Sequence, residues 1–294
     1  MEKIPVGKPR QTELSVHKIT EPADIPFSKE DYSLFKFGSK SRAKSFGRQL
    51  FDTFWNWFEV EYWGKTIPQI VVCSAPYNHI PTATGAMKDY FVKYLNEALA
   101  LHNYPVVQEA KIHRDTTYRE DYGSMTKEQR RTLIGGDAFH IDVPFLKDKL
   151  VLFIDDIRIT GTHESMIENM IMRLDGFEAT FDHMFLYFAR LDNINDICPT
   201  IENDLNYAAI TEISNILALA AADDFVFNTR VIKYMLSSNP IEFEIMMTLI
   251  HREDGGDIFL DTLYHLAIGN SYHLVPEYEE NLSLVRDLLK GELS

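Results

Sequence analysis

Residues 151–167 read VLFIDDIRITGTHESMI: four apolar residues, two adjacent aspartates, a short turn of small and hydroxyl-bearing residues, then a helix start. Val151 to Ile154 is an uninterrupted β-favouring run, the pattern of a central parallel strand covered on both faces. Ligands of open α/β sheets collect at the carboxyl ends of such strands, where Asp155 and Asp156 stand. Thr160, Gly161 and Thr162 follow, ahead of a helix with a predicted inner face of Met166, Ile167, Met170, Ile171 and Leu174. Glycine lets a backbone approach closely, hydroxyls donate, and the unpaired N–H groups of a helix start attract an anion.

Carboxylates on one side and an anion cradle on the other suit a sugar phosphate. Adjacent ribose hydroxyls can donate to the acids while a 5′-phosphate fills the turn. Two competing readings fail on spacing. The only Gly-Lys-Thr, at Gly64 to Thr66, has Glu59 where a phosphate loop needs its first glycine. His163-Glu164 would open a zinc-peptidase helix, but the second histidine position is Ile167. The bland alternative is a helix cap after a buried strand, with the acids merely solvated. Agreement of strand, paired acids, turn and helix within one stretch argues against it.

Outward from this stretch, strands and helices alternate. Phe46, Leu50, Phe51, Phe54, Trp55, Trp57 and Phe58 recur at mostly helical spacing within Ser45 to Trp63, predicting an amphipathic helix with an aromatic, core-facing side. Ile67 to Ala75 reads as a strand, Ala86 to Leu101 as a helix and Pro105 to Ile112 as a second strand. After the opening motif come a helix from about Glu164 to Leu174 and an apolar strand over 184–189 (MFLYFA). The alternation implies a parallel sheet with helices on both faces. Residues 1–30, polar and holding Pro5, Pro9, Pro22 and Pro26, read as an extended arm of low order.

Composition changes near residue 195. Residues 200–294 hold 16 acidic and 5 basic residues, so most of the chain's net charge of −15 lies there. Ile210, Ile213, Ile216, Leu217 and Ala220 repeat at helical spacing, as do Leu282, Val285, Leu288 and Leu289, which predicts a helical C-terminal domain over 196–294 beside a domain over 31–195. With 45% hydrophobic and 25% charged residues in 294, the chain is that of an ordinary globular protein. Its negative charge argues against bulk attraction to nucleic acid or an anionic membrane, so a polyanionic ligand needs local cations. Two cysteines, Cys73 and Cys198, give no disulfide framework, and no run reaches the length of a membrane span. A cytoplasmic location is expected.

The stretch VLFI-DD-IR-ITGTH resembles the signature of the type I phosphoribosyltransferases, which bind 5-phosphoribosyl-1-pyrophosphate (PRPP). Three further pieces resemble the ComF-like branch: FKFGSKSRAKSFGRQL at 35–50, TKEQRRTLIGGDAFHID at 126–142, and IVVCSAPYNHIP at 70–81 in the place of the pyrophosphate loop. The resemblance implies a parallel sheet flanked by helices and assigns roles by position. Asp155 and Asp156 would hold the ribose hydroxyls and reach magnesium through water. Thr160, Gly161, Thr162 and His163 would bind the 5′-phosphate, and Ser74, Ala75 and Pro76 would receive pyrophosphate. The polar stretch from Ile112 to Asp142 would close over the site, with Lys111, Arg114, Arg119, Lys127, Arg130 and Arg131 meeting the polyphosphate and Arg114 stabilising the departing pyrophosphate. Three departures stand out. Ile159 occupies a position where the purine-salvage branch carries an aspartate, which disfavours hypoxanthine or guanine as acceptor. His163 replaces the usual last threonine. The Arg-Gly-Phe-Asn segment typical of ComF proteins is missing from residues 74–87.

Two functions are consistent with these residues. One is a magnesium-dependent phosphoribosyltransferase that passes the group to an unidentified nitrogen acceptor and releases pyrophosphate. The other is a non-catalytic PRPP sensor whose helical tail carries the output. The tail could also complete the acceptor pocket or form a homodimer contact. Its acidity implies that it stays out of the phosphate contacts, and that a chain cut near Asn195 keeps PRPP affinity.

Overall fold

The computed structural model describes residues 13–21, 23–62, 64–114, 139–172, 181–193 and 201–291. Five parallel strands form the sheet: β1 (Glu13–Ile19), β2 (Ile70–Ser74), β3 (Gln108–Glu109), β6 (Leu150–Arg158) and β7 (Asp182–Leu191), in the order β1-β7-β6-β2-β3. Two short strands, β4 (His113–Arg114) and β5 (Phe139–His140), pair antiparallel beside it. The run 151–154 is the centre of β6, flanked by β2 and β7 and buried throughout. That burial is why the sequence there is apolar without alternation. The strand continues to Arg158, so Asp155 and Asp156 lie within it and not at its tip.

One sheet face is covered by α1 (Lys29–Lys36), α2 (Lys40–Tyr62) and α3 (Ala83–Leu101). Val72, Leu152, Ile154, Leu186 and Phe188 meet Tyr32, Phe46, Leu50, Phe54, Phe91 and Leu95 there, so the aromatic stripe of α2 is core. The opposite face, with Val71, Cys73, Val151, Phe153 and Phe185, packs on Ile112, on Leu146 of the single turn α4 (Val143–Leu146), and on Ile167 of α5 (Thr162–Met172).

The reading of residues 1–30 as an extended arm of low order is corrected in part. Glu13 to Ile19 form β1, paired in parallel register with Phe185 to Leu191. Ser28 caps α1, its hydroxyl accepting from the Asp31 amide at 3.0 Å. The predicted strand over 105–112 shrinks to β3, whose two residues are exposed at the sheet edge.

C-terminal to the sheet lie α6 (Ile201–Asn206), α7 (Ile213–Ala221), α8 (Thr229–Leu236), α9 (Pro240–His251), α10 (Gly256–Gly269), a 3-10 turn over Pro276–Tyr278, and α11 (Glu279–Leu289). Their core includes Ile216, Val231, Met235, Phe243, Leu263 and Val285, together with Phe37 and Ile80 from the sheet-bearing part. Polar ties run the same way. The Ser33 hydroxyl donates to Asn206 O at 2.6 Å, Asn228 Nδ2 donates to Lys36 O at 3.1 Å, and the His79 amide donates to Asn270 Oδ1 at 3.1 Å. No described helix is long and apolar enough to cross a membrane.

Candidate active site

At the carboxyl end of the sheet is a cavity of about 470 Å³, walled by the β6–α5 connection, the residues just after β2, the start of α3 and the C-terminal helices. Asp155, Asp156, Thr160, Gly161, Thr162 and His163 all line it, as do Ala75, Pro76 and Arg114. Ser74 does not; it lines a smaller neighbouring cavity of about 160 Å³. Lys111 also stands apart, donating to Asn78 O at 2.5 Å with its ammonium over the Tyr77 ring. Arg119, Lys127, Arg130 and Arg131 lie outside the described residues.

The two acids occupy different environments. Asp156 Oδ2 accepts from the Tyr32 hydroxyl at 2.6 Å and from Lys36 Nζ at 2.5 Å. Burial alone would push this carboxyl up, but the Lys36 charge and hydrogen bond, helped by Tyr32, hold it well below the usual carboxylate range. Burial and the Asp156 charge raise the Tyr32 phenol, so it remains a donor. Asp155 Oδ1 accepts from the Asp156 amide at 3.0 Å and the Thr84 hydroxyl at 3.3 Å, while Oδ2 lies 3.2 Å from His163 Nδ1. Burial pushes the Asp155 carboxyl up; the His163 contact opposes this and the Asp156 charge adds to it. With its side chain 17% exposed against 8% for Asp156, Asp155 is the acid more open to a ligand.

The turn after β6 is braced from below. Gly161 has φ of +68°, and an added Cβ would lie 3.2 Å from the Arg158 guanidinium. Arg158 Nε donates to Glu164 Oε2 at 2.6 Å and lies 3.3 Å from Glu13 of β1. Thr160 and Thr162 hydroxyls meet at 2.6 Å, and α5 begins at Thr162. Positive φ, adjacent hydroxyls and a helix start are features with which a turn could hold a phosphate.

Sequence reading missed several of these residues. Tyr32 and Lys36 hold Asp156, Thr84 donates to Asp155, and only Lys36 falls within a piece singled out, the FKFG segment. The C-terminal helices take part in the cavity, one of the places that the sequence left open for the tail. Glu202, Tyr207, Arg230, Lys233, Tyr234 and Tyr278 belong to the cavity wall. A signal was present in the chain: Arg230 and Lys233 are two of the five basic residues after position 200 and stand three apart on one helix.

A family model described as PRTase ComF-like matches residues 11–285. The chain belongs to the ComF-like phosphoribosyltransferase family. The match ends within α11, so it takes in most of the C-terminal helices together with the sheet. No match is found among curated proteins. Phosphoribosyltransferases of this type imply magnesium. Among the described residues no cluster of three His, Cys, Asp or Glu side chains could grip a metal ion. The paired carboxylates of Asp155 and Asp156 could hold a magnesium ion through its water.

Proposed function

We propose that the chain binds PRPP in this cavity and transfers its phosphoribosyl group to a nitrogen acceptor, releasing pyrophosphate. One observation carries the reading: Asp155, relatively open among buried groups, shares a cavity wall with the braced Thr160–Gly161–Thr162 turn. Ribose hydroxyls donate to Asp155, and Asp156, charged and fixed by Lys36, adds a negative field beneath the sugar. The 5′-phosphate sits in the turn. As the bond from C1 to pyrophosphate breaks, the electron pair leaves with pyrophosphate and positive charge builds at C1, facing the two carboxylates. The acceptor nitrogen forms the new bond to C1 and loses a proton. Magnesium, when bound, neutralises part of the pyrophosphate charge, and Asp155 is the carboxylate that would meet its water shell.

A second reading, a non-catalytic PRPP sensor, is favoured by the C-terminal helices in the cavity wall, which would feel a ligand directly. Titration calorimetry and a pyrophosphate-release assay test both. PRPP should bind more tightly with magnesium, and Asp155→Asn should weaken it by about tenfold or more; unchanged affinity removes the site assignment. Release of pyrophosphate above a protein-free control, in a panel of nucleobases and small amines, supports the transferase. Tight binding with no such release supports the sensor.

A further inference from the structure

Residues 200–294 carry 16 acidic and 5 basic residues, yet α8 places two of the five in the cavity wall. The helix begins against the start of α3. The Thr229 amide donates to Pro81 O at 2.9 Å, and the Thr229 hydroxyl donates to Ile80 O at 2.7 Å. Arg230 follows at once, and Lys233, three residues on, shares its face. Both line the cavity with Thr82, Ala83 and Thr84. Thr84 donates to Asp155 Oδ1 at 3.3 Å, so this part of the wall adjoins the ribose acid. The Thr82 hydroxyl is buried with no hydrogen-bond partner among the described residues.

The geometry points to Arg230 and Lys233 as the groups that bind the diphosphate of PRPP and the pyrophosphate that leaves. This rests on the PRPP reading above. PRPP carries its 5′-phosphate and its diphosphate on opposite sides of the ribose. With the 5′-phosphate in the turn after β6, the reading of Ala75 and Pro76 as part of the pyrophosphate loop puts the diphosphate over the connection after β2, a strand paired with β6. That connection, residues 75–84, is the segment on which α8 abuts. Besides the two aspartates, three glutamates line the cavity: Glu164 accepts from Arg158 Nε at 2.6 Å, Glu202 lies 3.6 Å from Lys36, and Glu277 faces it from the C-terminal part. The planar fork of a guanidinium matches the paired oxygens of a phosphate. A chain of net charge −15 needs such local cations to hold a polyanion.

Calorimetry on the full chain with PRPP, inorganic pyrophosphate and ribose 5-phosphate decides the matter. Arg230→Gln should weaken PRPP and pyrophosphate by about tenfold or more while leaving ribose 5-phosphate within about twofold. Lys233→Gln should act in the same direction, and Arg230→Lys should recover part of the loss. If Arg230→Gln does not fold, the Lys233→Gln and Arg230→Lys variants carry the same comparison. Unchanged affinity for PRPP, or an equal loss for ribose 5-phosphate, overturns the inference while the PRPP site stands. A wild-type chain that binds neither sugar phosphate removes the PRPP reading and this inference together.

Discussion

Asp155 and Asp156 adjoin in sequence, yet their carboxyl groups are shifted in opposite directions. The folded value for Asp156 lies below its unfolded one, so its contribution to stability is complete above about pH 4 and is lost as pH falls toward the folded value. Asp155 runs the other way: its carboxyl is raised by burial, so ionisation at neutral pH costs the fold, and acid relieves that cost. At pH 7, Asp156→Asn should lower stability by about 3 kcal/mol, because Lys36 loses its nearest counter-charge in a buried site. Asp155→Asn should raise it, at the expense of ligand binding. Urea midpoints of the two variants check the signs, and the deficit of Asp156→Asn should narrow only below about pH 4. Two destabilised variants would sink the assignment. The acid pair was legible in VLFIDD; its asymmetry was not, because the groups that impose it, Lys36 and Tyr32, stand 120 and 124 residues away.

Among elements, the turn between β6 and α5 was the most legible, since hydroxyls and a glycine ahead of an amphipathic helix are local signals. What braces it was hidden. β1 reaches the sheet edge half-buried, and ELSVHKI lacks the continuous apolar run that marks a central strand, so Glu13 could not be connected to Arg158. The eight-residue α8 was hidden for a related reason, its periodicity being too brief to separate from its neighbours. Gly161→Ala should cost about 1 kcal/mol for holding an alanine at positive φ and should press on the Arg158 guanidinium. The expected result is a modest fall in thermal midpoint with a larger loss of ribose 5-phosphate affinity. Affinity equal to wild type would mean that the turn does not hold the phosphate.

For the molecule as a whole, the composition break near residue 195 is real, but among the described residues the parts on either side of it share a core. Phe37 and Ile80 are buried in the core of the C-terminal helices, and Gly38 approaches Val226 so closely that an added Cβ would lie 2.3 Å from its carbonyl oxygen. Charge and composition report on surface, and the shared core is made of residues that look alike on either side. A chain ending at 195 would expose both apolar groups and lose the α8 wall, so it should bind a hydrophobic dye and lack a cooperative transition. In the full chain, tryptophan fluorescence reports only residues 55–63, where Trp55, Trp57 and Trp63 lie, whereas far-ultraviolet dichroism reports every helix. The two unfolding curves should coincide, and separated midpoints would show that the halves are independent.

The tie between Ser33 and Asn206, 173 residues apart, also has a meaning in time. At ribosomal speeds of about 5–20 residues per second, α1 emerges roughly ten to thirty seconds before its partner is made. β1 waits in the same way for β7. During synthesis the growing chain therefore carries an unpaired β1 and the bare aromatic side of α1, surfaces suited to a chaperone, until β7 and α6 are made.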